Sequence, residues 1–307
     1  MFLLVLITIG STGWSAVNWP FELFLSYIRH VLILAPLVAA MAWFAWRNSF
    51  PVLLIAVALV VFPFATFDKY RKPTHANCQS ESCLKIVSLN LRKRSDAIEK
   101  FAATDAVQTA DIIGLYDIPL NYTQARLERL FPDYDYVHLM SRSPRDDAYI
   151  GSFIAILSKR SPSAEIYEGI SDAHNTFAPR GYIVLPVAID GKTIHITALH
   201  TRLPLSHASA RQRDIFLGQI VQRNEGQENY IYMGDYNLTP WTPEFKKLSG
   251  KRAGDPRLIS TWDAQRFWTG IPIDHIMVSE NVEVIESRIL NGVGSDHFPI
   301  MAVIRVH

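Results

Sequence analysis

Eight polar residues stand at or just beyond the ends of apolar runs: Asn90, Asp117, His200, Asp235, Asn237, Asp274, Asp296 and His297. Their types fit one kind of chemistry. Carboxylates and an amide oxygen suit a hard cation, and imidazoles suit contact or proton exchange with an anionic substrate. A lone Asp after a strand is a turn former or a helix cap. The whole set, with two histidines in it, exceeds what turns and caps need, and hydrolysis of a phosphate ester is the reading that uses it. Two cassettes concentrate the signal, Gly234-Asp235-Tyr236-Asn237 and Ser295-Asp296-His297, each closed by a nearby proline, Pro240 or Pro299.

Alternating short strands and helices must position these groups. Residues 84–91, 111–116, 153–158, 182–189, 193–199, 230–233, 273–278 and 300–306 read as strands. Ser95 caps a helix with Ile98, Phe101 and Ala102 on its apolar face, and residues 121–130 and 206–222 read as helices. Thr242-Pro243 opens a short helix that Gly250 closes. The mixture is α/β. Local pattern leaves both a doubly wound sheet and a sandwich of two sheets with outer helices open.

The ordered motifs Ser88-Leu89-Asn90, Asp111-Ile112-Ile113-Gly114-Leu115-Tyr116-Asp117, Gly234-Asp235-Tyr236-Asn237, Ile273-Asp274-His275-Ile276 and Ser295-Asp296-His297-Phe298-Pro299 resemble the endonuclease/exonuclease/phosphatase superfamily. The resemblance runs from residue 84 to the C-terminus. It implies a four-layered α/β sandwich of two packed β-sheets with outer helices, and a metal-dependent phosphodiesterase or phosphatase, nuclease-like in its chemistry. His200-Thr201, the helix over 206–222 and the stretch from Asn237 to Pro243 are most similar to a membrane-anchored bacterial subfamily. That implies a multi-pass protein of the bacterial inner membrane.

Within this resemblance the chemistry is in-line attack of water on phosphorus, with Mg²⁺, or Mn²⁺ in its place, to polarise the phosphoryl oxygen. Asn90, Asp117 and Asp296 are the expected metal ligands. His297 is the expected base or phosphate contact, with Asp274 fixing its tautomer. Asp235 and Asn237 share one face and orient water and a phosphate oxygen, and His200 approaches from the other side. One position departs from the family pattern: Tyr116-Asp117 stands where Gln-Glu is usual. Aspartate is one methylene shorter, so weaker Mg²⁺ dependence is expected. The alternative is a noncatalytic membrane-bound scaffold with a degenerate metal site.

Other polar and aromatic clusters read less sharply. Arg92, Lys93 and Arg94 follow Asn90 as a phosphate neighbour or a solvated turn. Trp262, Phe267 and Trp268 serve for stacking or loop packing. His207, Arg211 and Arg213 read as the polar face of their helix, and His195 and His275 as structural.

Composition divides the chain. Of 307 residues 49% are hydrophobic, and the formal net charge of +1 excludes a global electrostatic attraction to nucleic acid. Residues 1–67 are mostly aliphatic and aromatic, with apolar runs over 1–17, 24–46 and 50–67. A spanning helix needs roughly 20 apolar residues, so two or three transmembrane helices are expected, then a linker over 68–83 and a soluble domain over 84–307. The expected partners are the lipid bilayer and a phosphodiester substrate (nucleic acid, lipid or small phosphoester). No feature predicts a protein partner. Lys69, Arg71 and Lys72 favour a cytoplasmic domain by the positive-inside rule. Cys78 and Cys83, the two cysteines of the chain, read as a disulfide loop in an oxidising compartment or as two free thiols, and the disulfide reading places the domain outside the cytoplasm.

Overall fold

The computed structural model describes residues 19–47, 51, 82–144, 147–171, 179–253, 260–263 and 270–306. Among the described residues twelve strands form two mixed six-stranded sheets. The first runs in the order β11-β12-β1-β2-β4-β3, with β1 Cys83–Asn90, β2 Ile112–Tyr116, β3 Tyr136–Arg142, β4 Tyr149–Ser158, β11 Val282–Ile289 and β12 Ile300–Val306. The second runs β5-β6-β7-β8-β10-β9, with β5 Tyr167–Ile170, β6 Gly181–Ile189, β7 Lys192–His200, β8 Tyr230–Asp235, β9 Lys251–Arg252 and β10 Asp274–Val278.

The sheets stack face to face, which decides between the two α/β arrangements. β4 lies against β6, and β1 and β2 lie against β8. Ile86, Ile112, Ile183, Ile196, Ile231 and Met233 belong to the buried cluster between them. Tyr116 crosses this interior, and its hydroxyl donates to the Met233 carbonyl at 2.8 Å. A buried phenol needs such a partner, and here the bond ties one sheet to the other.

Helices cover the outsides. α3 (Ser95–Ala102) buries Ala97, Ile98 and Phe101, and α4 (Asp105–Thr109) and α5 (Gln124–Leu130) follow it in the first half. α6 (His207–Arg223) starts with a capping box at Ser206 and sets Phe216, Leu217 and Ile220 against Tyr182 and Tyr232 of the second sheet. The helix expected after Thr242-Pro243 is a single 3₁₀ turn, Phe245–Lys247.

At the N-terminus, α1 (Trp19–Ser26) and α2 (Ile28–Arg47) break the apolar run over 24–46 at Tyr27. Leu25 and Ser26 are buried, and Glu22 is paired with Arg213 of α6, so the start of this run is packed on protein. Among the described residues no helix is long and apolar enough to cross a membrane. The runs over 1–17 and, almost entirely, 50–67 lie outside the described residues. Cys83 is disulfide-bonded. Cys78, the other cysteine of the sequence, lies outside the described residues.

Candidate active site

Topology brings the polar strand ends to one edge of the sandwich. Parallel β1 and β2 finish together, with Asn90 opposite Tyr116 and Asp117 next in line. Parallel β7 and β8 finish together, with His200 opposite Asp235. β10 is antiparallel to β8 and starts where β8 stops, so Asp274 pairs with Asp235. β12 is antiparallel to β1, and the loop that enters it carries Ser295, Asp296 and His297. The Ser295 hydroxyl donates to the Asn90 carbonyl at 2.7 Å and holds that loop against β1.

The side chains form one network. Asn90 Nδ2 donates to Asp235 Oδ2 at 2.9 Å, and the main-chain N–H of Asn237 donates to Asp235 Oδ1 at 2.9 Å. His200 Nε2 lies 3.4 Å and His297 Nε2 3.9 Å from Asp235 Oδ2. His297 Nδ1 donates to Asp274 Oδ2 at 2.9 Å. On the far side of His200, Nδ1 meets the Ser152 hydroxyl at 2.6 Å and lies 3.6 Å from Asp117 Oδ1. Asn237 Nδ2 donates to the Thr201 carbonyl at 3.3 Å and is not aimed at a carboxylate.

Local backbone strain accompanies the site. Asp117 and Asn237 both sit at φ +47°, and Arg92, Lys93 and Asp263 are also left-handed. Non-glycine residues hold such angles only where the surroundings fix them, and they gather at functional sites. Gly234 has φ +154°, and a Cβ there would lie 1.8 Å from the Leu199 carbonyl oxygen, so the Gly-Asp step admits glycine alone.

Charge states follow from burial and neighbours. Burial pushes the Asp235 carboxyl up to about 7, and the Asp274 carboxylate adds to the shift. Burial works against a charged His297, yet Asp274 at its Nδ1 and nearby Asp235 outweigh it and hold the imidazole up to about 9. Burial pushes His200 down to about 3, so it is neutral, and its approaches to Asp117 and Asp235 are polar contacts and not ion pairs. A neutral ring with Nε2–H towards Asp235 and Nδ1 accepting from the Ser152 hydroxyl fits the two nearer contacts. Burial opposes ionisation of Asp117, the Arg180 guanidinium favours it, and the carboxyl lies below the usual range.

Asn90, Asp117 and Asp296, expected together as a metal set, are linked less directly. Neither carboxylate hydrogen-bonds the Asn90 side chain, whose Oδ1 accepts from the Arg92 main chain at 2.8 Å. Asp296 Oδ2 pairs with Arg92 Nη1 at 2.7 Å and accepts from Trp262 Nε1 at 3.1 Å. Its other oxygen, Oδ1, is buried without a hydrogen-bond partner among the described residues. An orphaned buried carboxylate oxygen fits a cation in that place. The compact carboxylate–imidazole group is Asp235, Asp274 and His297, with ligand atoms all within 4.8 Å. A protonated His297 already offsets one of the two carboxylates in that group, and the orphaned oxygen of Asp296 is the better place for an added cation.

Arg180 and Ser152 join the site without having been expected there. Arg180 Nη1 lies 4.0 Å from Asp117 Oδ1, and Arg180 Nε and Nη1 are buried with no hydrogen-bond partner among the described residues. A nearly buried guanidinium with unused donors is suited to an anion. The available signal was positional: Arg180 directly precedes β6, whose start lies beside the end of β7, with Tyr182 opposite Leu199. Arg92 is exposed to solvent and at the same time paired with Asp296, so it combines both expectations for this turn. Trp262 donates into the site, while Phe267 and Trp268 lie outside the described residues. Arg213, read as part of a polar helix face, is fully buried. His275 is buried and structural: its Nε2 meets the Leu238 carbonyl and its Nδ1 accepts from Arg252.

The endonuclease/exonuclease/phosphatase family profile matches residues 75–297. The chain belongs to the endonuclease/exonuclease/phosphatase family. Solved structures share the family fold at low identity. An endonuclease/exonuclease/phosphatase from Bacteroides vulgatus is 14% identical, over 73% of this chain and 99% of that one, with a TM-score of 0.59. One from Beutenbergia cavernae is 16% identical over 73% and 72%, with a TM-score of 0.55. A beta toxin from Staphylococcus aureus is 19% identical over 71% and 99%, with a TM-score of 0.52. Among curated proteins none matches the sequence significantly.

Proposed function

We propose that this family member is a membrane-anchored, divalent-metal-dependent phosphoesterase that hydrolyses a phosphodiester or phosphate ester by in-line attack of water. The observation that carries this reading is the convergence on Asp235: Asn90 hydrogen-bonds it, the Nε2 atoms of His200 and His297 lie 3.4 and 3.9 Å from it, and Asp274 backs His297. Asp235, raised towards neutrality and held by Asn90 and Asn237, accepts the proton of the attacking water. His297, kept protonated by Asp274, donates to a phosphoryl oxygen, and Arg180 supplies further donors. Asn90, Asp117 and Asp296 would hold the metal. When bound, Mg²⁺ or Mn²⁺ supplies charge neutralisation at the phosphoryl and leaving oxygens.

The anchor rests on the apolar runs of residues 1–67, and exposed Val38, Met41, Trp43 and Trp46 on α2 support it. The disulfide at Cys83 supports a catalytic domain on the extracytoplasmic side. Leu120 follows Asp117, and Leu203 and Leu205 follow His200, each within five residues in sequence, and all three are exposed. Apolar residues there favour an amphiphilic phosphoester, such as a lipid headgroup, over a polyanion. The test is a panel assay of the full-length protein in detergent micelles. It sets phospholipid against plasmid DNA, single-stranded nucleic acid and simple phosphate esters, with Mg²⁺, with Mn²⁺ and with chelator. Metal-dependent release from phospholipid is the expected result. Hydrolysis of nucleic acid alone would overturn the substrate class, and no hydrolysis of any kind would favour a scaffold.

A further inference from the structure

We infer that the N-terminal helix α1 is a working part of the active site, with Glu22 acting as a positioning residue on Asn237 through the buried guanidinium of Arg213. The inference rests on the hydrolase reading for its kinetic consequence but not for its geometry.

Arg213 is fully buried, and Glu22 is only 2% exposed. Arg213 Nη2 donates to Glu22 Oε2 at 2.9 Å, and Nη1 donates to Glu22 Oε1 as well. Nε and Nη2 also reach Asp214 Oδ1, at 3.0 and 2.6 Å. One further donor contact leaves this cluster: Nη1 donates to the main-chain carbonyl of Asn237 at 3.1 Å. The same residue holds a left-handed φ of +47°, and its N–H secures Asp235 Oδ1. A left-handed residue other than glycine persists where its surroundings fix it. Arg213 holds the carbonyl side and Asp235 the amide side.

Glu22 decides whether Arg213 can do this. A buried guanidinium needs a bidentate carboxylate, and Asp214 meets it through one oxygen only. Without Glu22, the guanidinium is driven towards solvent with Asp214, and the Asn237 carbonyl loses its donor. Position 213 falls on the apolar stripe of α6 with Ala210, Leu217 and Ile220, so a charged residue there is retained against the packing preference of the helix. An anchor that served only to tether the domain would not need a charge from residue 22 in its interior.

The experiment compares full-length wild type with Glu22→Ala and the milder Glu22→Gln, and uses Glu22→Asp as the conservative replacement. Hydrogen–deuterium exchange is followed in peptides covering 236–242 and, as reference, β4 and β10. With the substrate found in the panel assay, kcat and KM are measured separately. The strut predicts exchange in 236–242 faster by about tenfold in Glu22→Ala, with β4 and β10 unchanged. It predicts kcat lower by about tenfold, corresponding to one charge-assisted hydrogen bond, with KM within about twofold. Glu22→Asp retains most of both. If Glu22→Ala does not fold, Glu22→Gln is expected to show the same pattern in smaller measure. Unchanged exchange in 236–242, or exchange raised equally in every strand, overturns the inference. Selective exchange in a protein that hydrolyses nothing upholds the strut and rejects the hydrolase reading.

Discussion

Asn90 Nδ2 and Asp235 Oδ2 meet at 2.9 Å across the seam between the two sheets, although 145 residues separate them in sequence. The bond sits where four strand ends of two parallel pairs converge, so one hydrogen bond reports on both halves of the sandwich. Replacing Asn90 by Ala leaves Asp235 Oδ2 buried with one donor fewer, which raises its carboxyl further. The expected outcome is a kcat lower by about a hundredfold, or roughly 3 kcal/mol, with the acid limb of the pH–rate profile moved to higher pH. Steady-state kinetics between pH 5 and about 9 check it.

Asp274 acts through His297. Asp274→Asn removes the charge that outweighs burial at the imidazole, so His297 titrates lower and is less protonated at neutral pH. NMR titration of the ring is expected to show the fall, and kcat is expected to drop by about a hundredfold with little change in KM. An unmoved His297 titration would remove Asp274 from this role.

The proposed metal role asks Asp117 to do what a glutamate, one methylene longer, does in the family pattern. In Asp117→Glu the carboxylate gains one methylene, and the Mg²⁺ concentration for half-maximal activity is expected to fall severalfold. A metal titration of activity for both proteins checks this. A variant that needs as much Mg²⁺ and turns over no faster contradicts it.

How much of this was legible in the sequence depends on where each strand lies. The eight strands expected from apolar pattern are the eight interior strands of the two sheets. The four others, β3, β5, β9 and β11, are the four edges. Interior strands are covered on both faces and read as apolar runs, whereas an edge strand such as β11 carries Glu283, Glu286 and Arg288 and a bulge after Val284. The site residues were legible because polar groups ending apolar runs stand out. Arg180 was not, because it begins a strand, and only the antiparallel pairing of β6 with β7 turns that start towards the site. Arg213 was misread because charge suggested a solvent face, while its place on the α6 stripe indicated burial.

Stability should depend on pH through His275. Burial lowers its pKa well below the ordinary 6.5, and Arg252 adds to this. The unfolded residue takes up a proton near that value and the folded one does not. Its stabilising contribution is therefore complete above the unfolded pKa and is lost as pH falls towards the folded one. Urea denaturation at pH 7.5 and 5.5 is expected to show wild type losing more stability than His275→Gln, by up to about 1.4 kcal/mol per pH unit. Equal losses would show that the folded imidazole takes up a proton as readily as the unfolded one.

Gly234 carries no chemistry, yet the site rests on it. Gly234→Ala drives a Cβ into the Leu199 carbonyl, 1.8 Å away in the unaltered backbone. A loss of about 3 kcal/mol or more is expected in urea denaturation, because main chain must move on both β7 and β8. A loss below about 1 kcal/mol would mean that these strand ends are softer than their register implies.

The most direct measurement is the hydrolysis rate of full-length Asp235→Asn and His297→Ala against wild type, on the best phosphoester of the panel at saturating Mg²⁺ or Mn²⁺. Circular dichroism confirms that both variants are folded. The expected result is a metal-dependent wild-type rate that falls by at least about a hundredfold in each variant. Wild-type rates in both folded variants would show that the meeting of Asn90, Asp235, His200 and His297 is not where the reaction takes place.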